Sequence, residues 1–130
     1  MENKMITALY CRTAHACDFG IEAQKKLLRN YANEYGYDNV KSYTDNGYSG
    51  VSYDRPAFAR LQVDIAAGIV QVLIVKDFSR ISRDMISLHK WLDSKELSEV
   101  KLISVQDGYD SKAVNPIDEI VKQLCVLLPK

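Results

Sequence analysis

An unbroken apolar segment at residues 72–75 is the feature that most constrains the fold of this chain. Its side chains are all apolar and mostly β-branched, a pattern typical of a parallel strand that is covered on both faces. Segments at residues 5–10, 40–44 and 100–105 are predicted to be strands as well. Segments with helical periodicity separate these strands. The alternation predicts a three-layer α/β/α sandwich with a mostly parallel sheet of four to five strands and right-handed crossovers.

The helices between the strands are predicted from spacing and from capping residues. The predicted helices are residues 21–35, which carry Ile21, Gln24, Leu28, Tyr31 and Tyr35 and end at Gly36; a helix from Pro56 to Gly68; a helix carrying Met85, Leu88 and Leu92 with Ser82 as N-cap; and residues 117–128. Residues 45–54 contain two glycines with Asn and Ser, so they are predicted to be a loop.

Length and composition fit one folded domain over residues 1–130, since 47% of the residues are hydrophobic and 26% are charged. No apolar stretch is long enough to cross a bilayer, and residues 1–5 lack the features of a signal peptide. The three cysteines do not form a disulfide framework, which suits a reducing compartment. We therefore expect a cytoplasmic chain without a membrane partner. Only two histidines accompany the cysteines, so no metal site is expected.

The charge balance argues against strong DNA binding by this domain alone. Lys and Arg together number 17, as do Asp and Glu, so the net charge is zero. Non-specific DNA affinity comes from many phosphate contacts, which a neutral domain lacks. A domain that contacts a single phosphate, while another region supplies affinity, remains compatible with this balance.

Four arginines lie close to the predicted carboxyl ends of strands, the edge at which ligands bind in such sheets. They are Arg12, Arg55, Arg80 and Arg83. Forked guanidinium groups suit bidentate contact with phosphate and would stabilise the charge that develops during phosphoryl transfer. Each arginine alone could instead be a solvated charge or half of an ion pair. Nucleotide-binding motifs of the GxGxxG and GxxxxGK types are missing from the sequence, and no arginine lies six positions after Cys11 or Cys17.

The motifs that carry these arginines resemble the catalytic domain of the serine recombinases, the resolvase–invertase family, especially those of mobile elements. The motifs are YCRTA at residues 10–14, GIEAQKKLLRNYA at 20–32, YTDNGYSG at 43–50, DRPAF at 54–58 and VKDFSRISRD at 75–84. The resemblance runs from about residue 6 to residue 110. It implies a resolvase-like fold and site-specific DNA strand exchange through a covalent phosphoserine link, such as inversion, excision or DNA integration. It also implies that neither a metal nor another cofactor is required.

The resemblance implies a role for each matching residue. Arg12 would contact the scissile phosphate and Gln24 would assist nearby. Asp45 and Arg55 would order and complete the pocket. Arg80 and Arg83 would bind the phosphate and the leaving group, and Asp84 would orient those two arginines.

The chain departs from the family pattern at the nucleophile. The family serine falls two residues after the first motif arginine, where this chain has Ala14. A methyl group offers no lone pair, so we expect the chain not to cleave DNA. Thr13, Ser49, Ser79 and Ser82 are the neighbouring hydroxyls that could take over, although the last three lie at family positions with other roles.

The second departure is at the end of the chain. Relatives continue into a long dimerisation helix and a DNA-binding domain, through which they form dimers and tetramers. Residue 130 lies near the start of that helix, so we expect this chain to bind DNA weakly and to form no stable dimer.

Two other functions remain open. The first is a non-catalytic DNA-binding or regulatory module derived from a recombinase, which would partner an active enzyme. The second is a small-molecule phosphate-binding enzyme on the same sheet architecture, because a fold does not fix a function.

Overall fold

Residues 5–48 and 55–111 contribute five strands to the sheet. They are β1 (Ile6–Thr13), β2 (Val40–Asn46), β3 (Val70–Val75), β4 (Lys101–Ser104) and β5 (Tyr109–Asp110). The computed structural model describes residues 5–48 and 55–111. The strand order is β2-β1-β3-β4-β5; the first four strands run parallel, and β5 pairs antiparallel with β4. The apolar segment at residues 72–75 lies in β3, the middle strand of this order, and it is covered on both faces, as predicted.

Helices cover both faces of the sheet. They are α1 (Asp18–Glu34), α2 (Pro56–Ala66) and α3 (Met85–Leu92), with short 3₁₀ turns at Phe78–Arg80 and Leu97–Glu99. Side chains alternate along β3, so Val72 and Ile74 pack with α1 while Leu73 and Val75 pack with α2 and α3. The predicted three-layer α/β/α sandwich is confirmed.

The predicted helix ends are confirmed where glycine follows the helix. Gly36 and Gly68 come directly after the C-caps of α1 and α2, with φ angles of 76° and 78°. Only glycine adopts this left-handed backbone without strain, and it stops the helix there. Pro56 is the first residue of α2, as predicted.

The start of α1 and the end of β2 differ from the prediction. α1 begins at Asp18 rather than at residue 21, because the Cys17 side chain acts as N-cap and accepts a hydrogen bond from the Gly20 amide at 3.3 Å. Sulfur is an unusual capping atom, so capping preferences do not predict a helix start at Cys17. β2 extends through Asp45 and Asn46, which the sequence placed in a loop, because both pair in register with the end of β1.

The start of α3 is the clearest correction. Its N-cap is Asp84, not Ser82, and the Ser82 hydroxyl instead accepts a hydrogen bond from the Asp84 amide at 3.0 Å. Arg80 ends a 3₁₀ turn and Arg83 lies in the bend before α3. Arg80 and Arg83 therefore both lie before α3 and do not share a face of one helix. The predicted helix at residues 117–128 lies outside the described residues, as does most of the predicted 45–54 loop.

Candidate active site

The carboxyl ends of β1, β2 and β3 bring most of the predicted site residues together. Arg12 is the penultimate residue of β1 and lies opposite Asp45 of β2 in the parallel register. Arg80 follows β3 in the 3₁₀ turn, and Arg55 is the N-cap residue of α2. Residues far apart in the sequence thus meet at one edge of the sheet, because the carboxyl ends of parallel strands lie at the same edge.

The Arg12 side chain is completely buried and is held by backbone carbonyl groups. Its Nε donates to the Arg80 carbonyl at 3.0 Å, Nη1 to that of Tyr48 at 2.7 Å and Nη2 to that of Ser79 at 2.6 Å. Each of its three nitrogens therefore has an acceptor within the protein. The guanidinium fixes the segment after β3 against the loop after β2.

The Arg55 side chain is also buried, with 1% of its surface exposed, and it binds the same segment. Its Nη1 donates to the Arg80 carbonyl at 2.8 Å, and its Nη2 donates to the Ile81 carbonyl. The guanidinium lies 4.3 Å above the centre of the Phe58 ring, a cation–π contact. The Arg80 carbonyl thus accepts from Arg55 and from Arg12, which joins the two guanidinium groups through one oxygen.

We call Arg12 and Arg55 the floor arginines, and Arg80 and Arg83 the rim arginines. The Arg80 side chain is 18% exposed, and its Nη1 donates to the Arg12 carbonyl at 3.0 Å. Its Nε lies 3.6 Å from an Asp77 carboxylate oxygen and, among the described residues, is buried without a hydrogen-bond acceptor. Arg83 is exposed.

The electrostatics of this edge show an excess of positive charge. The pKa of Arg12 is lowered from its usual range by burial first and then by repulsion from the other three arginines. Like charges depress a cationic pKa only when they lie close enough to repel one another. An anion bound here would relieve that repulsion, so the edge is suited to a phosphate.

Asp45 organises the floor rather than facing solvent. Its carboxylate is 1% exposed and accepts from the backbone amides of Ala57 at 2.9 Å and Phe58 at 3.0 Å. It also accepts from the Tyr10 hydroxyl at 2.7 Å, and that hydroxyl accepts from Arg55 at 3.1 Å. Asp45 thus ties the first turn of α2 to β1 and β2. The role in the pocket that the resemblance implies for it stays a prediction.

Gln24 binds the backbone of Arg12 from the opposite face of the sheet. Its side-chain oxygen accepts from the Arg12 amide at 3.1 Å, and its side-chain nitrogen donates to the Arg12 carbonyl at 2.9 Å. The Gln24 side chain is 4% exposed. Both functional ends of the amide are therefore used to hold the end of β1 against α1.

The segment that carries Ala14 is braced by the end of β2. The Asn46 side-chain oxygen accepts from the Thr13 hydroxyl at 2.9 Å and from the Cys17 amide at 2.7 Å, on either side of Ala14. Gly47 passes close by with a φ of 87°, and a Cβ there would lie 3.2 Å from the backbone nitrogen of Ala16. A glycine is therefore required at this crossing. Ala14 itself is partly buried.

Within the described residues the Asp84 carboxylate forms no hydrogen bond or ion pair with the rim arginines, which the resemblance implied that it would orient. Its carboxylate caps α3, accepting from the Ile86 amide at 3.1 Å and from the Ser87 hydroxyl at 2.8 Å. These hydrogen bonds lower the pKa of Asp84, that to Ser87 contributing most. Among the described residues the acidic partner of Arg80 is instead Asp77.

Sequence reasoning missed three residues of this site: Tyr10, Asn46 and Asp77. Each lies inside one of the motifs that resemble the family, but its partners are distant in sequence or are backbone atoms.

Cys11, in contrast, was predicted to be a packed residue, and it is fully buried. Burial raises the pKa of its thiol to about 11, so it is a poor nucleophile near neutral pH.

A cleft of about 240 Å³ opens beside the site between α1 and the end of β3. Thr13, Gln24, Lys76 and Arg80 are among the residues that line it. We call it the α1-side cleft.

In the described ranges no cluster of three or more His, Cys, Asp or Glu side chains could hold a metal ion. No helix in those ranges has the length and hydropathy needed to span a membrane.

The family model described as the resolvase N-terminal domain matches residues 7–128. This chain belongs to the resolvase family. The match spans every motif from which the resemblance to serine recombinases was drawn, so that prediction is confirmed. The roles of the individual site residues remain predictions.

Solved structures and a curated relative agree with this assignment. The N-terminal catalytic domain of TP901-1 integrase is 26% identical, with a TM-score of 0.76, over 91% of this chain and 97% of that one. A resolvase family site-specific recombinase from Streptococcus pneumoniae is 27% identical, with a TM-score of 0.71, over 95% and 87%. A Bacillus subtilis (strain 168) protein named "Putative DNA recombinase" is 32% identical over 74 residues, which are 57% of this chain and 15% of that protein.

Proposed function

We propose that this domain holds a DNA phosphodiester at the carboxyl edge of its sheet, as the catalytic domain of a site-specific recombinase. The observation that carries the proposal is the Arg80 carbonyl, which accepts from both floor arginines at 3.0 and 2.8 Å. Three arginines from separate segments are thereby held together beside Ala14. The family membership and the similarity to recombinase catalytic domains support the same function.

The two pairs of arginines have different roles in this proposal. The floor arginines fix the segment after β3, and the rim arginines with Lys76 attract the phosphate through the α1-side cleft. Three of the five N–H groups of Arg12 donate to carbonyls, and its side chain is completely buried. The segments that cover it must therefore move before Arg12 can contact a phosphate directly. DNA binding by this chain alone is weak, because its net charge is zero.

We further propose that the domain does not cleave the phosphodiester it holds. In the family reaction a serine oxygen forms a bond to phosphorus while the bond from phosphorus to a sugar oxygen breaks, and that oxygen leaves with a proton. Ala14 supplies no oxygen for this step. The Thr13 hydroxyl next to it is already bonded to Asn46 and accepts from the Gly47 amide at 3.2 Å.

Ala14→Ser tests the catalytic part of the proposal. A pool of duplexes with randomised centres is incubated with both forms, and covalent protein–DNA adducts are separated on a denaturing gel. We expect no adduct with Ala14 and adducts only with the serine form. Adducts of the unchanged chain would place the nucleophile at another residue and overturn the proposal that it does not cleave.

Side-chain NMR tests the binding part independently. Addition of a short DNA duplex to the ¹⁵N-labelled chain should shift the Nε–H signals of the rim arginines before those of the floor arginines. Shifts confined to the amino-terminal edge of the sheet would exclude the proposed phosphate site.

Ala14 also favours a second function, a regulatory role in which the chain pairs with an active recombinase and blocks strand exchange. Addition of this chain to a recombination reaction of such a partner should then lower the yield in proportion to its molar excess. Ala14→Ser should relieve that inhibition.

A further inference from the structure

The outer edge of β2 is an open pairing edge within the described residues. β2 pairs only with β1 there, and it lies at the end of the sheet. The Thr7 amide donates to the Asn39 carbonyl, and the Gly47 amide donates to the Thr13 carbonyl. The backbone N–H and C=O groups of the odd-numbered residues in this segment therefore point toward β1. Because backbone groups alternate in direction along a strand, those of Val40, Ser42 and Thr44 point away from the sheet.

β2 lacks the features that usually protect such an edge. It is seven residues long, contains no proline and pairs with β1 in an unbroken register without a bulge. Lysine often guards an edge strand, but Lys41 lies on the α2 face, 3.4 Å from an Asp64 carboxylate oxygen. Within the described residues, no strand pairs with the outward amides and carbonyls of β2.

A groove flanks this edge on each face of the sheet. The α1 groove, of about 330 Å³, is lined by Arg29, Asn33, Val40 and Ser42. The α2 groove, of about 290 Å³, is lined by Lys41, Ala59, Arg60, Val63 and Asp64. Each groove thus combines one arginine with one exposed valine; Val40 is 39% exposed and Val63 is 67% exposed.

The charge of both grooves is positive. Among the described residues, no acidic side chain lines the α1 groove. The one carboxylate that those residues contribute to the α2 groove, Asp64, is bonded to Lys41 and to the Tyr43 hydroxyl, which leaves Arg60 in excess. A second copy of this strand would bring like charges together, which destabilises pairing. An acidic partner would be attracted instead.

We propose that β2 binds an extended acidic segment of another protein by strand addition. Successive side chains of such a segment alternate between the two grooves, so carboxylates reach Arg29 and Arg60 while apolar side chains cover the two valines. Backbone hydrogen bonds to the outward groups of β2 supply affinity. This surface lies away from the arginines of the proposed DNA site and does not depend on that function.

The test uses the full chain and a labelled, capped six-residue peptide, Glu-Glu-Val-Val-Glu-Glu, whose extended form presents two glutamates and one valine to each groove. We expect saturable binding by fluorescence anisotropy, with the largest NMR shifts at the amides of Val40, Ser42 and Thr44. The double charge reversal Arg29→Glu with Arg60→Glu should weaken binding by about tenfold, whereas the control Lys26→Glu, on the same helix as Arg29 but outside the grooves, should not.

Ser42→Pro removes an outward N–H without removing a bond to β1, and it should abolish binding. If this variant does not fold, as judged by circular dichroism, the charge reversals on the helix surfaces still decide the question. The proposal is overturned by equal binding of a peptide with lysine in place of glutamate, by insensitivity to the charge reversals, or by self-association of the chain through β2 in sedimentation experiments.

Discussion

The floor and rim arginines are the same residue type at the same edge of the sheet, yet their surroundings differ. Arg12 and Arg55 are 0% and 1% exposed and donate mainly to backbone carbonyls. Arg80 is partly exposed and Arg83 is exposed. A buried guanidinium must have its donors satisfied, so the floor arginines stabilise the backbone around them. A cation at the surface keeps donors available for an incoming anion. Burial thus separates a structural role from a binding role.

The largest expected effect is on the stability of the floor. Arg55→Met keeps the apolar contact with Phe58 but removes the donors to the Arg80 and Ile81 carbonyls. We expect the free energy of unfolding to fall by about 3 kcal/mol, because the Ile81 carbonyl loses this donor, at a cost of ~1–3 kcal/mol, and the cation–π contact with Phe58 is lost, at a cost of ~1–2 kcal/mol. The Arg80 carbonyl keeps its bond from Arg12. Urea unfolding followed by circular dichroism measures this loss.

Arg83→Met is the matched control at the rim. It should change the free energy of unfolding by no more than ~0.5 kcal/mol, as is usual for an exposed side chain. Equal losses at both positions would show that the rim arginines are structural as well.

An intermediate effect is expected at Tyr10, which links Asp45 to Arg55. Tyr10→Phe removes only the hydroxyl and should lower the free energy of unfolding by about 1–2 kcal/mol. Tyr35→Phe, at a residue that is 59% exposed, is the control and should have no measurable effect. If both variants unfold alike, the buried hydroxyl does not support the floor.

Tyr10→Phe should also change how the free energy of unfolding depends on pH under alkaline conditions. Burial first, and then the hydrogen bond to Asp45, raise the pKa of Tyr10. A raised folded pKa means that this contribution is complete below the unfolded value of ~10 and is lost as the pH rises above it. Unfolding free energies measured between neutral pH and pH 11 should therefore fall less steeply for Tyr10→Phe than for the unchanged chain.

The smallest effect is expected for DNA binding at the rim. Arg83→Ala removes one exposed cation, so the slope of log affinity against log salt should decrease in magnitude by about 1 while stability stays constant. Anisotropy titrations of a DNA duplex at several salt concentrations give this slope. An unchanged slope would place the phosphate outside the reach of Arg83.

Sequence patterns predicted the sheet well because burial imposes periodicity directly. The apolar run of β3 could be covered only in the middle of the sheet, and Gly36 and Gly68 ended helices for a steric reason. The arginines were also predicted to meet, since the carboxyl ends of parallel strands lie at one edge.

The contacts of those arginines could not be predicted from the sequence. Arg12 and Arg55 bind backbone carbonyls of residues 48 and 79–81, and every residue has a carbonyl, so no residue type marks the partner. The same carbonyl bonds accompany a 3₁₀ turn after β3, which the sequence patterns did not predict. Cys17 was missed as the N-cap of α1 for a different reason, because sulfur is rarely a capping atom.

The register between β1 and β2 makes the number of residues in β2 before Asp45 matter more than their composition. Asp45 and Asn46 are neighbours in sequence but serve opposite faces of the sheet, one holding α2 and the other bracing the segment around Ala14. A shift of one residue in a strand exchanges its two faces. A single insertion inside the strand, between Val40 and Asp45, would therefore turn the carboxylate toward α1 and the amide toward α2, and would dismantle both halves of the site without altering any of its residues.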